Sequence, residues 1–284
     1  MDVRLDRFAT LYLVSPCLRF AAREQSSVPI LMYHSISDQD ESNVHPYYRT
    51  STSPKMFVSQ LEYLHQSGYR TCNLEEALNQ LQLSSRTAAK SVIITFDDGY
   101  SDFYRRAFPV LSQYGFGATV FLPTAYIGDS PLQFKGRDCL TWAEVRELSN
   151  YGILFGSHTV SHPQLRELSV RAINEEIIRS KLTIEEKLGR AVDSFAYPFA
   201  FPQAEADFAK MLRDSLSQAG YQNGVCTIIG RAHRNSDRFF MERLPINSWD
   251  DTRLFKAKLK GGYDWLQALQ GASKFIRARR VSSD

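Results

Sequence analysis

Short apolar, β-branched runs alternate with amphipathic stretches along this chain, and that alternation limits the folds open to it. The runs are Val28–Tyr33, Tyr69–Cys72, Val92–Phe96, Gly117–Leu122, Gly152–Gly156, Asp193–Tyr197, Tyr221–Cys226 and Phe239–Leu244. Between them lie helical stretches that carry their own start and stop residues. Ser53 precedes Pro54 and Gly68 follows; Leu74–Leu83 is amphipathic; Gly115 closes Asp102–Tyr114. Thr141, with Glu144 three residues on, opens Trp142–Asn150, Gly189 closes Ser169–Leu188, and Gly220 closes Ala204–Ala219. Such alternation implies parallel strands joined by right-handed crossovers, in a barrel or an open sheet. A length of 284 residues favours the barrel, for which about 250 is typical. We expect a helical N-terminal extension over 1–27, a barrel over 28–250, and a helical tail over 251–284 packed on it.

Charge narrows the function. A net charge of +3 gives no reason to expect nucleic acid. Basic residues cluster near the C-terminus at Lys274, Arg277, Arg279 and Arg280, which read as a solvated helix end or as a weak contact with an anionic membrane surface. The fairly apolar stretch Phe8–Ala22 is too short to span a bilayer and is broken by Pro16 and Arg19; an amphipathic helix is expected. Cys17, Cys72, Cys139 and Cys226 lie far apart, which argues for reduced thiols and against a zinc finger. These features favour the cytoplasm; membrane association, or export through a poor N-terminal signal, is the alternative.

The chemistry lies at two strand ends. Val92–Phe96 runs into Asp97-Asp98-Gly99, and a parallel strand delivers its functional groups at its C-terminal end. Adjacent carboxylates repel; a divalent cation resolves the conflict by binding one and leaving the other as a base. About sixty residues on, His158-Thr159-Val160-Ser161-His162 follows another strand, and Pro163 marks a loop in which both imidazoles can converge. Either motif alone could be solvated surface; together they form an open site of three ligands. Zinc suits that donor set, and nickel or cobalt also fit.

Thr95-Phe96-Asp97-Asp98-Gly99 together with His158-Thr159-Val160-Ser161-His162 resembles the polysaccharide deacetylases, the NodB-homology or carbohydrate esterase family 4 enzymes, over about Pro29 to Trp249. The resemblance implies an α/β fold, a distorted (β/α) barrel of about seven parallel strands, and one divalent metal ion. It also implies a metal-dependent hydrolase that removes N-acetyl groups from the sugars of a poly- or oligosaccharide, lipid-linked glycans included. On that pattern Asp98, His158 and His162 hold the metal and Asp97 is the base that activates water. The backbone N–H of Phe199, in Tyr197-Pro198-Phe199, meets the oxyanion. Pro198, Tyr100 and Trp249 line the substrate cleft.

Two departures stand out. The family's third motif often holds an arginine that orients the base; Ala196 occupies that place here, leaving Asp97 to another cation or to none. The family's late catalytic histidine is missing, since none follows His233. A closed barrel brings first and last strands together, so His34, just after the first run, is expected to protonate the leaving amine. Asp250 is a lesser candidate for orienting a histidine, and Trp142 and Tyr104 read first as packing residues. Hydrolysis of another carbon–nitrogen amide is a second reading. A catalytically silent carbohydrate-binding barrel is a third, against which the presence of Asp97 and all three ligands argues.

Overall fold

The computed structural model describes residues 4–18, 27–45, 48–83, 90–202, 205–267 and 270. Seven strands form a closed parallel barrel: β1 Ile30–Tyr33, β2 Ser91–Phe96, β3 Thr119–Leu122, β4 Leu154–Ser157, β5 Ser194–Ala196, β6 Asn223–Ile229 and β7 Met241–Pro245. Each pairs with its neighbour in sequence. Closure comes from β1, which pairs with both β7 and β2. The expected barrel is therefore the observed one, with element ends shifted by a few residues.

Strand alternation sorts the side chains. Ile30, Ile93, Phe121, Ala196, Val225 and Met241 belong to one buried cluster, contributed by six of the seven strands. In β4 the matching place is Gly156, where an added Cβ would sit 2.5 Å from the Phe121 ring and 2.8 Å from the Ser194 carbonyl oxygen. A bulky ring on β3 thus requires a residue without a side chain on β4. Leu74, Ala77 and Leu81 of the helix Leu74–Gln82 join the same cluster. The alternate residues, among them Leu31, Tyr33, Ile94, Phe96 and Phe195, belong to the larger core with the helices Pro54–Gln66, Trp142–Asn150 and Val170–Leu188. On β2 the alternation that puts Ile93 in the barrel-side cluster also carries Thr95 and Asp97.

Three expectations are corrected. Tyr69–Cys72 is no stave; only Arg70–Thr71 is extended, and it pairs outside the barrel with the start of β2. The segment after β3 is not irregular throughout, because Gln133–Phe134 and Arg137–Asp138 form a hairpin. Its turn is Lys135-Gly136 with both φ values positive, the geometry a two-residue hairpin needs. The helix after β2 opens as a π-helix, Phe103–Ala107, before Phe108–Tyr114. Pro109 lacks an N–H and its ring crowds the preceding turn, which the wider π-turn relieves.

The N-terminal extension is helical over Leu5–Leu18, and helix Thr252–Leu259 follows the barrel. Lys274, Arg277, Arg279 and Arg280, and most of the link over 84–90, lie outside the described residues. All four cysteines are free. Burial pushes the Cys72 and Cys139 thiols up to about 12, and Cys226 is buried, whereas Cys17 is exposed. At pH 8 the folded protein should therefore label rapidly at Cys17 alone, and at all four thiols once denatured. Rapid labelling of a second thiol in the folded state, counted by mass spectrometry, would contradict this packing.

Candidate active site

Ladder hydrogen bonds hold the strand tips in place. The Asp97 N–H donates to the Tyr33 carbonyl at 3.0 Å, the His158 N–H to Leu122 at 3.0 Å, and the Tyr197 N–H to Val225 at 3.0 Å. The residues beyond the tips carry the chemistry, and there the backbone is strained. Among the described residues, the non-glycine positions with positive φ are Asp98, Lys135, Thr159, His162 and Phe199. All five belong to the segments that form this site, where such strain is held by surrounding contacts.

Asp97 is buried, and its two oxygens accept from Arg243: Nη1 to Oδ1 and Nη2 to Oδ2, each at 2.7 Å. Arg243 lies on β7 and is fully buried. Its Nε donates to the Cys226 carbonyl at 3.0 Å, and Nη1 also reaches the Thr95 hydroxyl at 3.2 Å. Burial, the largest single effect, would raise the Asp97 carboxyl; the charge and hydrogen bonds of the Arg243 guanidinium, together with the nearby His158 and His34, hold it below its ordinary value. The Asp97 carboxylate is therefore ionised at neutral pH. Arg243 was not singled out from the sequence, where the orienting arginine was sought near Ala196. The available signal was a lone arginine inside the apolar run Phe239–Leu244.

Asp98 turns elsewhere. Its Oδ2 accepts from the Tyr100 hydroxyl at 3.0 Å, and its Oδ1 is buried with no hydrogen-bond partner among the described residues. That Oδ1 lies 3.3 Å from His162 Nε2 and 3.7 Å from His158 Nε2. Donors about 2.1 Å from a tetrahedral metal ion stand about 3.4 Å apart, so these separations fit one ion. The His158 Nδ1–H donates to the Ala196 carbonyl at 2.8 Å, which leaves Nε2 as the lone-pair nitrogen. Burial pushes His158 down to about 4, so the ring is neutral at pH 7. Asp98, His158 and His162 form the group of ligating side chains found close enough to hold a metal among the described residues.

The histidine loop is braced from outside. Glu176, on helix Val170–Leu188, accepts from the Val160 N–H at 2.7 Å and the Ser161 N–H at 2.9 Å. The Thr159 hydroxyl accepts from the His162 N–H at 2.9 Å. The rings of Phe134 and Phe199 pack on His162 at 5.1 and 4.7 Å.

The remaining expected residues fall as follows. His34 lies half-buried just beyond β1; burial lowers its pKa, against the pull of Asp97 and Asp98, the two nearby carboxylates. Pro198 and Phe199 follow β5, Phe199 exposed by 44%. Trp249 is exposed by 44% on the loop after β7, with the Arg49 guanidinium 5.1 Å over its ring. Tyr100, expected to meet substrate, is buried and bonds Asp98 instead. Asp250 orients no histidine: it pairs with Lys258 at 2.8 Å and Arg4 at 3.6 Å. The hairpin adds a residue that sequence reasoning passed over, Lys135, whose Nζ lies 3.6 Å from Asp98 Oδ2.

Comparison with known proteins gives the family. Residues 84–224 match the family model described as polysaccharide deacetylase. A Bacillus subtilis protein, YxkH, whose name places it among these deacetylases, is 31% identical over 222 residues, spanning 78% of this chain and 72% of that protein. The chain belongs to the polysaccharide deacetylase family. Another relative, the poly-β-1,6-N-acetyl-D-glucosamine N-deacetylase of Staphylococcus aureus, is 24% identical over 241 residues, 79% of this chain and 80% of that one. Among solved structures, the Streptococcus pyogenes deacetylase PplD in complex with acetate aligns with a TM-score of 0.72 and 26% identity, covering 83% of this chain and 99% of that chain. IcaB from Ammonifex degensii, at 23% identity, shares the fold with a TM-score of 0.68 over 82% of this chain and 97% of that chain.

Removing one partner of the Asp97–Arg243 pair strands a buried charge. Arg243→Met should cost about 3–5 kcal/mol of stability in urea melts. The double variant Asp97→Asn with Arg243→Met should recover part of that loss while remaining inactive; a single variant as stable as the parent would refute the pairing. Lys135→Met removes a cation from beside Asp98 and should tighten zinc about fivefold in chelator competition. Unchanged affinity would mean that the ammonium swings clear when the ion enters.

Proposed function

We propose that this member of the family is a metal-dependent N-deacetylase of an N-acetylated poly- or oligosaccharide. One observation carries the reading: Asp98 Oδ1 and the Nε2 atoms of His158 and His162 converge beside Asp97, a separate carboxylate with its own cation. The substrate class is supported by the name of the Staphylococcus aureus protein, and deacetylation as the reaction also by that of the Streptococcus pyogenes protein.

When bound by Asp98, His158 and His162, a divalent ion, zinc by its donor set, supplies Lewis-acid polarisation of the amide carbonyl and acidifies the attacking water. Asp97, ionised and held by Arg243, takes the proton that water gives up as its oxygen attacks the acetyl carbon. The Phe199 N–H donates to the oxyanion that forms; its positive φ is a strained conformation of the kind that aims a backbone N–H. His34 delivers a proton to the sugar nitrogen as the carbon–nitrogen bond breaks, releasing acetate and a free amine. A His34 that rests neutral can first receive the proton collected by Asp97, so no outside acid is needed. Trp249, exposed beside the last strand, offers a flat apolar face for a sugar ring.

The test is acetate release from a panel of N-acetylated oligosaccharides. Zinc-loaded protein should be active, chelation should abolish activity, and added zinc should restore it; a zinc-loaded protein that frees no acetate from any glycan would overturn the reading. Asp97→Asn should lower kcat by about 10²–10⁴ with zinc still bound. His34→Gln should lose a similar factor on amides but little on an activated acetate ester, whose leaving group needs no proton. Equal losses on both substrates would assign His34 another role.

A further inference from the structure

The N-terminal helical segment is inside out for a soluble protein. Its polar residues Arg4 and Thr10 are buried: the Arg4 guanidinium donates to the Tyr263 hydroxyl at 3.0 Å, and the Thr10 hydroxyl accepts from Trp265 Nε1 at 3.1 Å. Leu11 packs against the core, but four other large apolar residues face out: Leu5 is 73% exposed, Phe8 55%, Tyr12 55% and Leu13 58%. The Phe8 and Tyr12 rings pack together at 5.1 Å, so this is one patch rather than scattered side chains. An amphipathic helix normally buries such a face, and a clustered exposed one marks a contact surface.

Beside the patch is a cavity of about 400 Å³. Leu11 and Ala257 form an apolar wall, and Arg253, Lys256 and Lys260 supply three cations; its described lining holds no carboxylate. The Ser15 hydroxyl on its edge is buried without a hydrogen-bond partner among the described residues. The Arg253 guanidinium lies 5.9 Å from the Tyr12 ring, so patch and cavity adjoin.

We propose that this face docks on an anionic lipid surface, with Leu5, Phe8, Tyr12 and Leu13 in the acyl boundary and a lipid phosphate held by Arg253, Lys256 and Lys260. Apolar face and cationic rim together are the pattern of an interfacial helix. No helix of the described structure is long and apolar enough to cross a membrane. A second copy is the poorer occupant, because a two-fold contact through this self-complementary patch would bring the cationic rims of both copies together.

The full chain should co-sediment with vesicles of phosphatidylglycerol in phosphatidylcholine, not with phosphatidylcholine alone, and should be released by high salt but not by millimolar inorganic phosphate. Phe8→Ser with Leu13→Ser, and separately Arg253→Glu with Lys260→Glu, should each lower the bound fraction about tenfold or more with an unchanged melting temperature. Equal binding to both vesicle types, or none, would overturn the proposal. So would a dimer in light scattering that the Phe8/Leu13 variant dissociates.

Discussion

The site depends on an ion pair inside the barrel. Asp97 and Arg243 are both buried, and burying two charges costs more than most pairs return unless every donor and oxygen is used. Here nearly all are: two parallel bonds join guanidinium to carboxylate, and Thr95 and the Cys226 carbonyl take further Arg243 donors. The consequence is a carboxylate that is charged, dry and fixed in direction. With Asp97 committed to one cation, its neighbour is free for another. The positive φ of Asp98 turns the next side chain out of the strand alternation and toward the histidines. Two adjacent carboxylates thus avoid mutual repulsion by facing different partners.

Rigid support sits outside these residues. Glu176 fastens the histidine loop from a long helix, Tyr100 fastens Asp98, and the Ala196 carbonyl fixes the His158 tautomer. The hairpin around Lys135-Gly136 supplies the Phe134 ring against His162 and an ammonium beside Asp98. Strained backbone at five positions is tolerable because each is tied by such contacts.

A second buried charge cluster joins the ends of the described chain. Asp250, just past β7, meets Lys258 and Arg4, and the Lys258 ammonium also donates to the Pro245 carbonyl at 2.6 Å. Gln60 accepts from Tyr33 of β1 and donates to the Asp250 carbonyl, so the first and last staves share a polar brace. The N-terminal segment is thereby anchored by its polar side, and its apolar side is left outward.

The barrel was legible from strand alternation and chain length, and the grouping of Asp98, His158 and His162 beside Asp97 from their places at strand ends together with the family resemblance. Apolar period and turn residues are local properties, and strand tips of a parallel barrel converge whatever the connections contain. Asp97, Asp98, His158 and His162 could be named because each lies at such a tip. Arg243, Lys135 and Glu176 could not. Arg243 reaches Asp97 across 146 positions because closure sets β7 near β2, and no linear motif measures that distance. Lys135 arrives through a two-residue turn, and Glu176 through the packing of one helix on one loop. Sequence decided which chemistry this chain carries, because side-chain type and strand period are written residue by residue. Only the tertiary structure decided which cation holds Asp97 and which face stays bare, because both depend on distances across a closed sheet.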